Sequence, residues 1–118
     1  MRIWDIPVQN LCRKHLLGEH RELHCIWTFL TTDKGGSYKK HPEVLRWKDH
    51  LLALWYRHLE QELEMGKRGY QHDSNLSKIN APAHIGIAPL PEPITPLADQ
   101  IANIKAKGDC GCKLDNLL

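Results

Sequence analysis

The chain has 118 residues, 42% of them hydrophobic and 25% charged, with a formal net charge of +2. That length fits one small domain, residues 1–118, with a modest core, and the composition excludes a wholly disordered chain. No apolar run approaches the roughly 20 residues that a membrane-spanning helix needs, and a sequence pI near 8.4 falls short of the excess of base that by itself marks a nucleic-acid binder.

The charge is unevenly spread: residues 1–50 carry nine Lys and Arg against six Asp and Glu, and residues 51–118 carry seven against eight. The start, Met1-Arg2-Ile3-Trp4-Asp5, has no basic-then-apolar signal pattern. With four cysteines (Cys12, Cys25, Cys110, Cys112) and no secretory signal, reduced thiols in the cytoplasm are expected.

Pro7 to about Thr32 reads as one long helix. Leu16, Leu23, Ile26, Trp27 and Leu30 recur at helical spacing on one face, with His15, Glu19, Glu22 and Cys25 on an adjoining, more polar face. Gly18, costly in mid-helix, is expected to admit another backbone. Residues 33–42 break the pattern with two glycines, Tyr38 and the lysines Lys34, Lys39 and Lys40. A second helix is expected from Pro42 to about Lys67, burying Val44, Trp47, Leu51, Leu54, Trp55, Leu59 and Leu63. Tyr70 to Pro93 reads as an extended Pro-rich connection pinned by Ile79, Ile85, Ile87 and Leu90. Thr95-Pro96 opens a last helix to about Lys107, with Leu97, Ile101 and Ile104 on one side. No strand candidate is visible.

Three groups carry chemistry. His20 and His24, at i and i+4, can face one ligand, but the helical zinc-protease pattern needs a glutamate directly after the first histidine. Arg21 stands there instead, so a solvated or core-edge histidine pair is the preferred reading over a metal site. Glu22 is a surface glutamate paired with Arg21 or His15 or, if partly desolvated, a proton acceptor. Cys110-Gly111-Cys112 has one spacer where zinc knuckles use two or more, and reads as a pair of tail thiols. The terminus adds a fourth feature. At pH 7 an α-amine is unprotonated more often than a lysine, by roughly 400-fold, and Arg2 is too large for ordinary removal of Met1.

Arg2-Ile3, the run His15-Leu16-Leu17-Gly18-Glu19-His20-Arg21-Glu22-Leu23, and Lys67-Arg68-Gly69-Tyr70 together resemble the pyrimidine-dimer DNA glycosylase family, the endonuclease V-like group. The resemblance implies an all-α bundle of three helices with the N-terminal segment threaded between them. It implies attack of the N-terminal amine on C1′ of a damaged nucleotide, an imine intermediate and strand cleavage by β-elimination, with no metal or cofactor. Carried over by position, Met1 supplies the amine and Glu22 is the acid/base. Arg2, His15 and Arg21 serve the site and the phosphates, and Lys34, Lys39 and Lys40 can hold further phosphates. Cys25 stands where the family carries a second arginine. The expected partner is double-stranded DNA with damaged pyrimidines, bound by a monomer with no membrane contact. The competing readings are a metal-dependent hydrolase built on the helix-one His/Glu cluster, and a non-catalytic DNA-binding module of the same fold.

Overall fold

The computed structural model describes residues 2–70, 90–107 and 111–114. Met1, Cys110 and most of the Pro-rich connection, including Ile79, Ile85 and Ile87, lie outside them. Four α-helices and two short 3-10 turns, with no strand among the described residues, make the chain all-α. They are α1 (Arg13–Thr31), α2 (Pro42–Trp47), α3 (Leu51–Lys67) and α4 (Leu97–Ala106). No helix among the described residues is long and apolar enough to cross a membrane.

Three boundaries differ from the sequence expectation. The first helix starts at Arg13, because Pro7 leads into a 3-10 turn at Val8–Asn10 and the chain straightens at Leu11. The second helix is two helices. The chain breaks over Lys48-Asp49-His50, where His50 leaves the helical region at φ −130° and ψ 38°, so the bundle has four helices and not three. The last helix begins one residue late, with Pro96 at the N-cap. Gly18 admits no neighbour, since a Cβ built on it would meet nothing within 4 Å. Leu90, expected to pin the connection, is largely exposed.

The core is two apolar clusters. One packs Ile3 with Leu23, Ile26 and Trp27 of α1, Val44 and Trp47 of α2, and Ala53 and Leu54 of α3. The other packs Trp4, Ile6, Val8 and Leu11 with Leu16 of α1, Met65 of α3, Ile101 and Ile104 of α4, and Leu114 of the tail. The N-terminal segment therefore contributes to both, threaded among the helices as expected. Each fully buried Ile or Leu adds roughly 1.5–3 kcal/mol. The segment is thus held by its side chains before any polar contact is counted.

A buried polar layer falls between the clusters. On α1, Glu19 sits between Leu16 and Leu23. On α3, Arg57 and Gln61 sit between Leu54 and Met65, and all three polar residues are buried. The α3 residues facing inward are Ala53, Leu54, Arg57, His58, Gln61 and Met65. Leu63, expected in the stripe, is exposed.

At the far end of α1 the chain turns through Gly35, at φ 117°. A Cβ there would meet Phe29 Cδ1 at 2.6 Å, so only glycine lets the loop close over Phe29, which stacks on Tyr38.

Candidate active site

The backbone of residues 3–6 is gripped by one side chain from each helix. Arg46 of α2 donates to the Ile3 carbonyl (3.2 Å). Glu19 of α1 accepts from the Trp4 N–H (2.7 Å). Gln100 of α4 accepts from the Asp5 N–H (2.9 Å). Arg57 of α3 donates to the Ile6 carbonyl (2.8 Å). An irregular segment buried in a core must satisfy its backbone groups somewhere, and here four helices supply the partners.

The grips are themselves braced. Arg57 meets Glu19 in a two-pronged pair, Nε to Oε2 at 3.0 Å and Nη2 to Oε1 at 2.9 Å, and Gln61 Nε2 also donates to Glu19 Oε2. Arg46 pairs with Asp5 (2.5 Å) and Glu43 (2.8 Å). Gln100 Nε2 donates to Asp5 Oδ2 (2.7 Å) and to the Thr95 carbonyl (2.8 Å). Further along, Arg68 donates to the Leu11 carbonyl (2.7 Å), so the arginine of Lys67-Arg68-Gly69-Tyr70 holds the chain entering α1.

This fixes the direction of the N-terminal segment. Trp4 meets His15 edge-on, with ring centroids 5.8 Å apart, and bonds Glu19, while Ile3 packs against Leu23 and Ile26. Going toward residue 1, the segment therefore runs along α1 toward its C-terminal half. Residues 15, 19, 22 and 26 share one side of a helix, so Glu22 flanks this lane. Glu22 is half-buried and Arg21 is exposed.

The other expected site residues are dispersed. The Arg2 guanidinium lies 4.8 Å above the Trp4 ring, and Lys107 reaches the same ring at 5.9 Å, which gathers positive charge at the segment's start. Lys34 and Lys40 are exposed on the loop after α1. Lys39 donates to the Thr32 carbonyl at the negative pole of α1. His15 is buried, with its Nδ1 3.0 Å from Cys12 Sγ and 3.4 Å from Cys112 Sγ. Burial pushes its imidazole below the usual 6.5, and Lys107 and Lys14 add to the effect. Met1 lies outside the described residues.

Among the described residues two clusters could hold a metal ion: Cys12, His15 and Cys112 at the start of α1, and His20, His24 and His58 between α1 and α3. A cleft of about 380 Å³ opens beside Trp4 and Asp5, lined also by Tyr56, Arg57 and Glu60.

Sequence reasoning missed the grips at Glu19, Arg46, Arg57 and Gln100, and the third histidine, His58. One signal was available. The spacing Val44, Trp47, Leu54, continued by threes and fours, reaches His58, Gln61 and Met65.

The terminal segment lies along the helix whose sequence is His-Leu-Leu-Gly-Glu-His-Arg-Glu-Leu, the run that carries the resemblance to the DNA-repair glycosylases. A family model described as pyrimidine dimer DNA glycosylase matches residues 1–78, and the chain belongs to that family. The matched part holds the gripped segment, Glu22, Arg57 and Arg68; Gln100 lies beyond it. Searches among curated proteins and among solved structures returned no match.

Proposed function

We propose that this protein is a bifunctional glycosylase and AP lyase for DNA with damaged pyrimidines, working through the amine of Met1 as a monomer. The observation that carries the reading is the four-point grip on residues 3–6, which holds Ile3 and Trp4 against the side of α1 that bears Glu22. The unprotonated amine attacks C1′ of the damaged nucleotide, and the glycosidic bond breaks with its electron pair on the base. The sugar ring opens to an imine between the amine and C1′. Loss of a C2′ proton then expels the 3′ phosphate by β-elimination. Glu22 moves the sugar protons, a role that suits a carboxylate between water and core. The amine needs no other activation, because its ordinary pKa lies near pH 8.

In this reading Arg2, Arg21, Lys34 and Lys40 hold phosphates, and a lesion with weakened pairing lowers the cost of turning a nucleotide out of the stack. The test is borohydride trapping in EDTA, on duplexes carrying a thymine dimer or an abasic site, with protein whose free terminus has been verified by mass. A covalent adduct mapping to Met1 is expected. An adduct on a lysine overturns the nucleophile, and no adduct with either duplex overturns the lyase chemistry.

A further inference from the structure

His20, His24 and His58 bring three imidazole nitrogens to one point between α1 and α3. The Nε2 of His24 lies 3.0 Å from that of His20 and 3.1 Å from that of His58. A neighbour fixes which nitrogen of His20 carries hydrogen. Gln61 gives its amide N–H to the Glu19 carboxylate, which only accepts. Its carbonyl oxygen is therefore the atom 2.8 Å from His20 Nδ1, and that Nδ1 must be the donor. In a neutral ring this makes the Nε2 of His20 the lone-pair nitrogen, and it faces His24 Nε2. His58 Nδ1 lies 3.2 Å from a Glu62 carboxylate oxygen, within ion-pair reach. A cation among the three nitrogens accepts from all of them.

The geometry suits a metal. With Zn–N near 2.0–2.1 Å and tetrahedral angles, ligand nitrogens stand about 3.3 Å apart, a few tenths beyond the observed spacings. A ligating histidine that passes its other N–H to an amide oxygen or a carboxylate is the usual outer arrangement of a metal-bound imidazole, and two histidines at i and i+4 is a familiar helical ligand spacing. We propose that His20, His24 and His58 bind a divalent transition-metal ion of the Zn²⁺ class through their Nε2 atoms and so clamp α1 to α3. Glu22 points some 160–200° around α1 from His20 and His24, by 100° per residue. The ion is therefore a clamp and not part of the cleavage site.

A separate observation carries a second site at the start of α1. Gly111, at φ 90°, turns the tail back so that Cys112 Sγ accepts from the Cys12 N–H at 3.1 Å. Asn10 and Lys113 hold the turn, with Lys113 N–H to the Asn10 carbonyl at 2.8 Å and Asn10 Nδ2 to the Lys113 carbonyl at 2.7 Å. Two sulfurs and His15 Nδ1 then lie within 4.8 Å of one another. Sulfur with imidazole is a structural zinc set, and the neutral form of His15 is the one that ligates. The geometry points to a thiolate zinc site that ties the tail to α1.

Cobalt separates the two. Protein purified without a metal-affinity tag is stripped, titrated with Co²⁺, and followed by visible absorption, near-ultraviolet sulfur-to-cobalt charge transfer and metal content. Two equivalents are expected, one of them giving charge transfer. His24→Ala and His58→Asn should each lose one equivalent and keep the charge transfer, and should bind Zn²⁺ at the helix clamp at least ten-fold more weakly. Cys112→Ser should lose the charge transfer and keep the other equivalent. Circular dichroism shows whether each variant is folded; if one is not, Zn²⁺-dependent melting of the unsubstituted protein decides. A melting temperature indifferent to Zn²⁺ and to chelator, with unchanged metal content in either histidine variant, overturns the clamp. Absence of charge transfer from the unsubstituted protein overturns the thiolate site. Neither failure touches the amine mechanism, which is assayed in EDTA.

Discussion

Replacing Arg57 by methionine leaves the aliphatic part of the side chain and removes three hydrogen bonds, two to Glu19 and one to the Ile6 carbonyl. The Glu19 side chain is wholly shielded from solvent, so its charge stays buried with only the Trp4 N–H and the Gln61 amide as donors. Breaking a buried pair from one side costs about 3–5 kcal/mol. Unfolding entropy for 118 residues is about 0.25 kcal/mol per kelvin at the midpoint, so the melting temperature should fall by about 12–20 °C. Thermal unfolding followed by circular dichroism, supported by urea titration, reads this directly. The double variant Glu19→Gln/Arg57→Met removes the stranded charge while retaining an acceptor for Trp4. It should melt no lower than Arg57→Met alone, since contacting residues couple by about 0.5–3 kcal/mol. A melting temperature for Arg57→Met within about 3 °C of the parent, or costs that simply add in the double variant, would refute the view that Glu19 and Arg57 act as one braced unit.

Other substitutions probe different links. Glu22→Gln should leave melting and DNA affinity nearly unchanged and slow base release by about 10²–10⁴-fold; full activity in single-turnover assays removes Glu22 from the chemistry. Gly35→Ala should cost about 1–3 kcal/mol, from the left-handed backbone and the clash with Phe29, and an unchanged melting curve would show the loop free to move. Arg21→Ala, at an exposed position, should alter stability by less than about 0.5 kcal/mol. If Arg21 meets a phosphate, the slope of log affinity against log salt becomes shallower by about 0.9, which binding titrations over a range of salt will measure.

The first helix was legible because Leu16, Leu23, Ile26 and Trp27 are apolar and in phase, and all four are buried. The α3 face was not, because Arg57, His58 and Gln61 look like a solvated surface until Glu19, His20 and His24 are set opposite them. Burial of such groups depends on partners distant in sequence, 38 residues away for Arg57 and Glu19, and the spacing that reaches His58 and Gln61 does not name those partners. The break at Lys48-Asp49-His50 was hidden for a simpler reason, since neither proline nor glycine marks it. Motif resemblance placed Glu22, Arg2 and Arg21 by position. It did not reveal that the terminal segment is gripped from four sides, because Arg46 and Gln100 belong to no recognisable run.

That grip has a consequence for the order of events during synthesis. Residues 3–6 are the first of the described segments to leave the ribosome, yet Gln100, which holds Asp5, is nearly the last anchor to appear. Domains generally settle as units during translation, and here residues 3–6 do not have all four anchors until α4 has emerged. A nascent or truncated chain lacking α4 loses the Asp5 anchor and the packing of Ile101 and Ile104. On the proposed mechanism, cleavage by the Met1 amine should therefore require α4.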